Sequence, residues 1–244
     1  MPRDLAPARI DLPLLNARFS SRPAEAALEH ALSGAIGRVA MVSSFGADSA
    51  VLLHMLARID RAAPVLFIDT LMLFPETLGY QRDLAGYLGL TDIRVIGPAR
   101  EELFAEDTDA LLHRADPDGC CDLRKARPLE RALDGFDGWI TGRKRVQGGA
   151  RATLDLFERD AATGRVKVNP LAGWDARQIA AYMDRHALPR HPLVARGYLS
   201  IGCAPCTGPV APGEDARAGR WRGQDKTECG IHISGGRVER RQAS

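Results

Sequence analysis

Four of the five cysteines in this 244-residue chain fall into two close pairs, Cys120-Cys121 and Cys203-Ala204-Pro205-Cys206. The remaining thiol, Cys229, stands alone within Lys226-Thr227-Glu228-Cys229-Gly230-Ile231-His232. A Cys-x-x-Cys lets two thiolates converge on one metal, whereas two adjacent cysteines project apart and are awkward ligands for a single tetrahedral zinc. A cubane offers separate iron corners, so the spacing favours a four-iron, four-sulfur cluster held by Cys120, Cys121, Cys203 and Cys206. Structural zinc, a disulfide pair and simple burial of small apolar thiols are the alternatives. Disulfides are the weakest of these. Met1 to Arg18 carries no continuous apolar segment of a secretory signal, so a reducing cytoplasm is the expected compartment. Cys229 is left free to react.

These thiols need a scaffold, and the chain has the length and apolar content (45% hydrophobic) to build one core with an appendage. A formal net charge of +2 implies no bulk attraction to nucleic acid, and no apolar run approaches a bilayer span. Arg38 to Ser43 reads as a buried strand, followed by a helical pattern over Ser49 to Ile59 with Val51, Leu52, Met55 and Leu56 on one side. Val65 to Asp69, Ile93 to Ile96 and Gly138 to Thr141 read as further strands, and Glu76 to Leu88 as a helix. Asp175 to His186 has an amphipathic helical pattern, with Ile179, Ala180 and Met183 facing inward. The expectation is an α/β fold: a mostly parallel twisted sheet with helices on both faces and a helical region at the N-terminus.

Such sheets bind ligands where loops leave the carboxyl ends of strands. The loop Ser43-Ser44-Phe45-Gly46-Ala47-Asp48-Ser49 occupies that position. Its small residues would let backbone N–H groups approach a phosphate at the following helix N-terminus. Asp48 or Ser49 would equally serve as an ordinary helix cap, and the loop alone leaves both readings open. It lacks the Gly-Lys-Ser/Thr ending of a Walker loop. A basic run, Arg143, Lys144, Arg145 and Arg151, follows the strand at Trp139, with Arg217 and Arg220 further on. Forked guanidinium groups suit phosphate and sulfate oxygens, although exposed arginines more often form a solvated face.

Together these segments resemble a known family. Ser43 to Ser49 is similar to the pyrophosphate loop of the adenine-nucleotide alpha-hydrolase superfamily. Asp69 to Thr77, Cys120-Cys121 with Arg124-Lys125, Trp139-Ile140-Thr141-Gly142 and the run from Ser200 to His232 resemble the assimilatory sulfonucleotide reductases. The two cysteine pairs place the resemblance in that family's cluster-bearing branch, chiefly adenylyl-sulfate (APS) reductases. It runs from about Ser43 to His232.

The resemblance implies a two-electron reduction of adenylyl sulfate to sulfite and AMP. A thiolate attacks the sulfur of the anhydride and expels AMP, leaving a sulfonate on the protein. Cys229 is the candidate nucleophile, and Lys226 and His232 are near enough in sequence to favour its thiolate form. With four thiols on iron, an external dithiol must release sulfite; the family supplies thioredoxin or a glutaredoxin-like carrier. The resemblance assigns Arg217, Arg220 and Lys125 to the phosphosulfate, and Arg143, Arg145 and Arg151 to the substrate pocket. Ser44, Phe45, Gly46, Asp48 and Ser49 form the nucleotide loop, and His232 completes the substrate set. The cluster is implied to organise the site through Lys125 rather than to carry electrons.

Two departures from the family pattern stand out: Val146-Gln147-Gly148 where Asp-Gln-Ser is usual, and Leu199 in place of a proline. Residues 1–206 form the expected nucleotide-binding domain. Residues 207–244, rich in Gly, Pro, Arg and Asp, form a mobile segment carrying Cys229, with disorder expected after Ile233. His54 reads as a core-edge residue, while His113, His186 and His191 lack metal-ligand spacing. A reductase for the 3′-phosphorylated substrate, a tRNA-thiolating enzyme sharing the loop, and a zinc-stabilised binding module are the competing functions. Self-association is left open.

Overall fold

The computed structural model describes residues 10–161, 163–224, 226 and 228. Helices α1 (Leu12–Phe19) and α2 (Ala24–Leu32) precede strand β1 (Val39–Ser43), helix α3 (Ser49–Ile59) and strand β2 (Val65–Ile68). Next come α4 (Pro75–Leu88), β3 (Ile93–Ile96) and the short helices α5 (Arg100–Glu106), α6 (Leu112–Ala115) and α7 (Pro117–Cys121). A π-helical turn over Asp122–Ala126 joins α7 to α8 (Arg127–Ala132). Strands β4 (Gly138–Ile140), β5 (Phe157–Arg159) and β6 (Val166–Val168) and helix α9 (Ala176–Arg185) follow.

The sheet has six strands in the order β3-β2-β1-β4-β6-β5, parallel throughout except for β5 against β6. Strand β1 is buried on both faces because its side chains alternate between two cores. Val39 and Met41 pack with α2, α3, α4 and α9, while Ala40 and Val42 pack with Leu66, Leu129, Leu133 and Trp139. Helices therefore cover both faces, as expected. The hairpin β5–β6 and helices α5 to α8 are additions to the sequence reading. In α9, Tyr182 takes the inward place beside Ile179 and Met183, and Ala180 is only half-buried. Edge strand β5 is covered by α1, where the Asn16 amide accepts from Phe157 N (2.8 Å) and donates to Phe157 O (3.0 Å).

The chain proceeds from β1 outward through β2 and β3, then returns to place β4 on the other side of β1. The β1 and β4 loops consequently leave the sheet in opposite directions and open a crevice between them. Among the described residues, no helix is long and apolar enough to cross a membrane.

Candidate active site

The loop after β1 is shaped from below. Phe45 has a left-handed backbone (φ +48°), and its fully buried ring meets Phe67 edge-on at 5.3 Å. Its N–H donates to Ser43 Oγ (3.1 Å), and Ser49 Oγ donates to Gly46 O (2.7 Å). Burying Phe45 in the core offsets the strained conformation and holds the loop's small residues at the surface of the crevice. Phe45 was expected among the substrate contacts; its side chain is instead the anchor beneath them and does not line the cleft. Asp48 makes no capping hydrogen bond. Its carboxylate pairs with Lys144 Nζ at 3.0 Å, bridging the loops after β1 and β4.

The crevice encloses about 520 Å³, a volume suited to a nucleotide-sized ligand. Ser44, Gly46, Asp48 and Ser49 line one side; Arg143, Lys144 and Arg151 line another; Lys125, Arg217 and Arg220 complete the cationic wall. Nine residues predicted for the site are thus brought together. Arg145 is not among them, because its Nε donates to Leu154 O (2.6 Å) and its side chain points away. Lys144 takes the cleft position that the basic run promised to its neighbour. Val146 and Leu199, two departures from the family pattern, line the cleft as exposed apolar side chains.

The cleft is not purely cationic. Glu228 reaches into it and binds Arg151 through both carboxylate oxygens (2.5 and 2.6 Å), with Arg217 at 3.7 Å. Gln147 also accepts from Arg151. Arg143 is held by Glu158, Asn169 and Thr141; burial pulls its proton affinity down, with Glu158 opposing and Arg151 adding to the effect. Glu228 was missed by the sequence reading. A carboxylate two residues after a lysine and next to the single cysteine was its only signal.

Both cysteine pairs border this wall. Cys120 and Cys121 end α7, and the π-helical turn that follows buries Arg124 and Lys125 together. Arg124 donates twice to Asp107 (3.0 and 2.6 Å) and once to Thr70 O (2.9 Å). Cys203 lies in an isolated bridge with Leu73, and its Sγ is 3.2 Å from Thr70 Oγ1. Gly202 lets the Arg220 guanidinium lie against the backbone and over Trp221; a Cβ would fall 2.4 Å from it, so the arginine would have to shift.

The thiols sense one another. Burial pushes Cys120 up to about 11, with Cys203 and Cys206 adding to the rise and Arg124 opposing it. Burial also raises Cys206, with Cys203 reinforcing and Lys125, Arg220 and Lys226 opposing. Deprotonating this set therefore needs compensating positive charge. Among the described residues, no three Cys, His or carboxylate side chains converge as a site for one ion. The donor chemistry, four thiols among four cations, fits a polynuclear iron–sulfur group better than a lone zinc.

Lys226 sits beside Cys121. Its ammonium donates to Pro117 O (2.9 Å) and Asp118 Oδ1 (2.5 Å). Burial works against its charge, but Cys121 and Asp118 outweigh that and raise its pKa. The lysine expected to favour the Cys229 thiolate is thus committed to α7. Cys229 and His232 lie outside the described residues. The histidines behave as scaffold: His191 bonds Thr77, and His54 bonds Tyr182.

Comparison with known proteins agrees with this geometry. Residues 38–209 match the model of the phosphoadenosine phosphosulfate reductase domain. The chain is 56% identical over 206 residues to an adenosine 5′-phosphosulfate reductase of Mesorhizobium japonicum, covering 84% of this chain and 80% of that protein. It is 50% identical over 230 residues to another of that name from Chelativorans sp., covering 93% of each. A crystal structure of phosphoadenylyl-sulfate reductase from Candida auris, in complex with phosphate, superposes with a TM-score of 0.71 at 28% identity. That match covers 82% of this chain and 98% of the Candida protein. The chain belongs to the phosphoadenosine phosphosulfate reductase family, the sulfonucleotide reductases.

Proposed function

We propose that this protein reduces adenylyl sulfate to sulfite and AMP in the cytoplasm, using electrons from thioredoxin or a glutaredoxin-like dithiol. The observation that carries the reading is Glu228. It lines the same cleft as the nucleotide loop and the cationic wall, and Cys229 is its neighbour in the chain.

The steps follow from the chemistry of the groups. The small residues of the loop at 43–49 leave room for the nucleotide's phosphate, and Arg217, Arg220 and Lys125 offset the charge of the phosphosulfate. The Cys229 thiolate attacks the sulfur; the bond from sulfur to the phosphate oxygen breaks, and AMP departs with the electron pair. One thiolate of the carrier then attacks Cys229 Sγ, releasing sulfite with the sulfur–sulfur electron pair. The carrier's second thiol resolves the mixed disulfide, so the carrier supplies both electrons. Release of the contacts that hold the stretch from Thr207 onward would present Cys229 to the carrier.

Cys120, Cys121, Cys203 and Cys206 would hold a four-iron, four-sulfur cluster. When bound, that group would tie α7 to the Cys203–Cys206 turn and set the electrostatic environment of Lys125. The chain's own cations, Arg124, Lys125, Arg220 and Lys226, offset the charge of the thiolates.

Intact-mass measurement after mixing carrier-free protein with adenylyl sulfate tests the reading. Addition of one SO₃ group is expected, and no addition in Cys229→Ser. Equal sulfonation of that variant would remove Cys229 from the mechanism. Comparison with the 3′-phosphorylated nucleotide would measure selectivity.

A further inference from the structure

Lys226 is an unusual lysine. Its side chain is 3% exposed, although ammonium groups are strongly hydrated and expensive to bury. Here two groups of α7 receive the ammonium, the Pro117 carbonyl and the Asp118 carboxylate. Both come from one short helix, the one that carries the first cysteine pair. Trp221 closes the lysine from another side, its ring centre 6.0 Å from Nζ.

Lys226 and Glu228 bracket the approach to Cys229 with opposite charges and opposite partners. Lys226 is fastened to the cysteine-bearing helix; Glu228 is fastened to Arg151 after β4. Upstream, Trp221 N donates to Cys206 O (3.1 Å), and Gly208 N to Gly219 O (2.8 Å), so the chain runs past the second cysteine pair before reaching the lysine. The stretch leading to Cys229 is therefore attached to both cysteine-bearing segments, and Lys226 makes its buried attachment to α7.

We propose that Lys226 is a positioning residue that fastens the chain leading to Cys229 onto the cysteine-bearing helix α7, with its ammonium spent on Pro117 and Asp118 rather than on activating the nucleophile. The proposal rests on the reading of Cys229 as nucleophile and adds to it a physical link between the cysteine centre and delivery of the reacting thiol. Disturbing α7 then loosens the chain that carries Cys229 as well as the metal ligands themselves.

Tryptic cleavage after Arg222, measured on the full-length holoenzyme without nucleotide, reads the attachment directly, since native-state cleavage reports local opening. Arg222 has an exposed side chain and remains available in every variant. Lys226→Met is expected to speed this cleavage about tenfold, the effect of losing one buried charge-assisted hydrogen bond. Asp118→Asn, at a side chain 45% exposed that folding tolerates, should speed it in the same direction. Because both changes break one contact, the double variant should cleave about as fast as Lys226→Met alone rather than at the product of the two increases. Alkylation of Cys229 across pH should keep its midpoint in Lys226→Met. Unchanged cleavage in Asp118→Asn, independent effects in the double variant, or a raised Cys229 midpoint with unchanged cleavage would each overturn the proposal. None of these measurements needs adenylyl sulfate, so failure of the fastening and failure of the proposed reaction are told apart.

Discussion

The two walls of the cleft are built by different forces. The loop after β1 takes its shape from the core: Phe45 is buried beneath it, and short backbone and hydroxyl hydrogen bonds close it. The opposite wall, from α7 through Cys203 to Glu228, has little regular structure and is held by charge: Arg124 on Asp107, Lys226 on Asp118, Glu228 on Arg151. An apolar anchor is indifferent to salt and pH. Buried ion pairs are specific in geometry but costly when broken, because the surviving partner stays behind as an uncompensated charge. The rigid wall suits a nucleotide that binds the same way each turn, and the charged wall suits a surface that carries two pairs of thiols.

The largest effect should come from the most buried pair on the charged wall. Arg124→Met strands the Asp107 carboxylate, which is 0% exposed and among the described residues would retain the Leu112 N–H at 2.8 Å. A loss of about 3–5 kcal/mol is expected in urea unfolding. The double variant Arg124→Met/Asp107→Leu should recover much of it, because both charges leave together. Failure to recover would show that the wall depends on packing rather than charge, and the contrast between the walls would fall.

A smaller effect concerns a polar anchor that must stay neutral. His191 accepts from Leu193 N at Nδ1 (3.2 Å), so its proton sits on Nε2 and faces Thr77 Oγ1 (3.0 Å). Burial lowers its pKa from 6.5 to about 4, with Glu76 opposing. Between those values the unfolded chain binds the proton and the folded one does not. Stability therefore falls as pH drops through this window, by up to about 3 kcal/mol below it. Urea midpoints followed from pH 7 to 4 should show the loss, and His191→Gln should flatten this part of the profile. An identical slope in both proteins would assign the acid sensitivity to the ion pairs.

The difference between the walls also explains what could be read from the sequence. Strands β1 to β4 and helices α3, α4 and α9 announce themselves through apolar periodicity, because tertiary burial and local pattern agree there. Three-residue strands such as β5 and β6 are too short to show a period, and Lys167, buried against Asp160, disguises β6 as surface. The helices from Arg100 to Ala132 are short and are tied by Asp107 and Arg124, which bond each other, Leu112 and Thr70, partners that no local pattern announces. At the site, the loop and the cationic groups were legible as motifs, but orientation was not. Phe45 reads as part of a phosphate loop until its positive φ turns the ring into the core. Lys226 reads as an activator of Cys229 until its two acceptors on α7 are seen.

Arg145 gives the smallest and sharpest test of orientation. It lies in the basic run between Lys144, which lines the cleft, and Val146, yet its guanidinium is spent on the Leu154 carbonyl. If residue type alone built the cationic wall, Arg145→Ala and Arg143→Ala should weaken adenylyl-sulfate turnover alike. The geometry predicts otherwise. Arg145→Ala should leave KM and kcat within about twofold of the parent and cost about 1 kcal/mol of stability, the worth of one partly exposed hydrogen bond. Arg143→Ala should raise KM by far more, since it removes a buried cation from the cleft together with the guanidinium that donates to Glu158 and Asn169. Equal kinetic losses in the two variants would mean that the loop after β4 turns Arg145 into the cleft during catalysis, and the division between wall and support would have to be redrawn there.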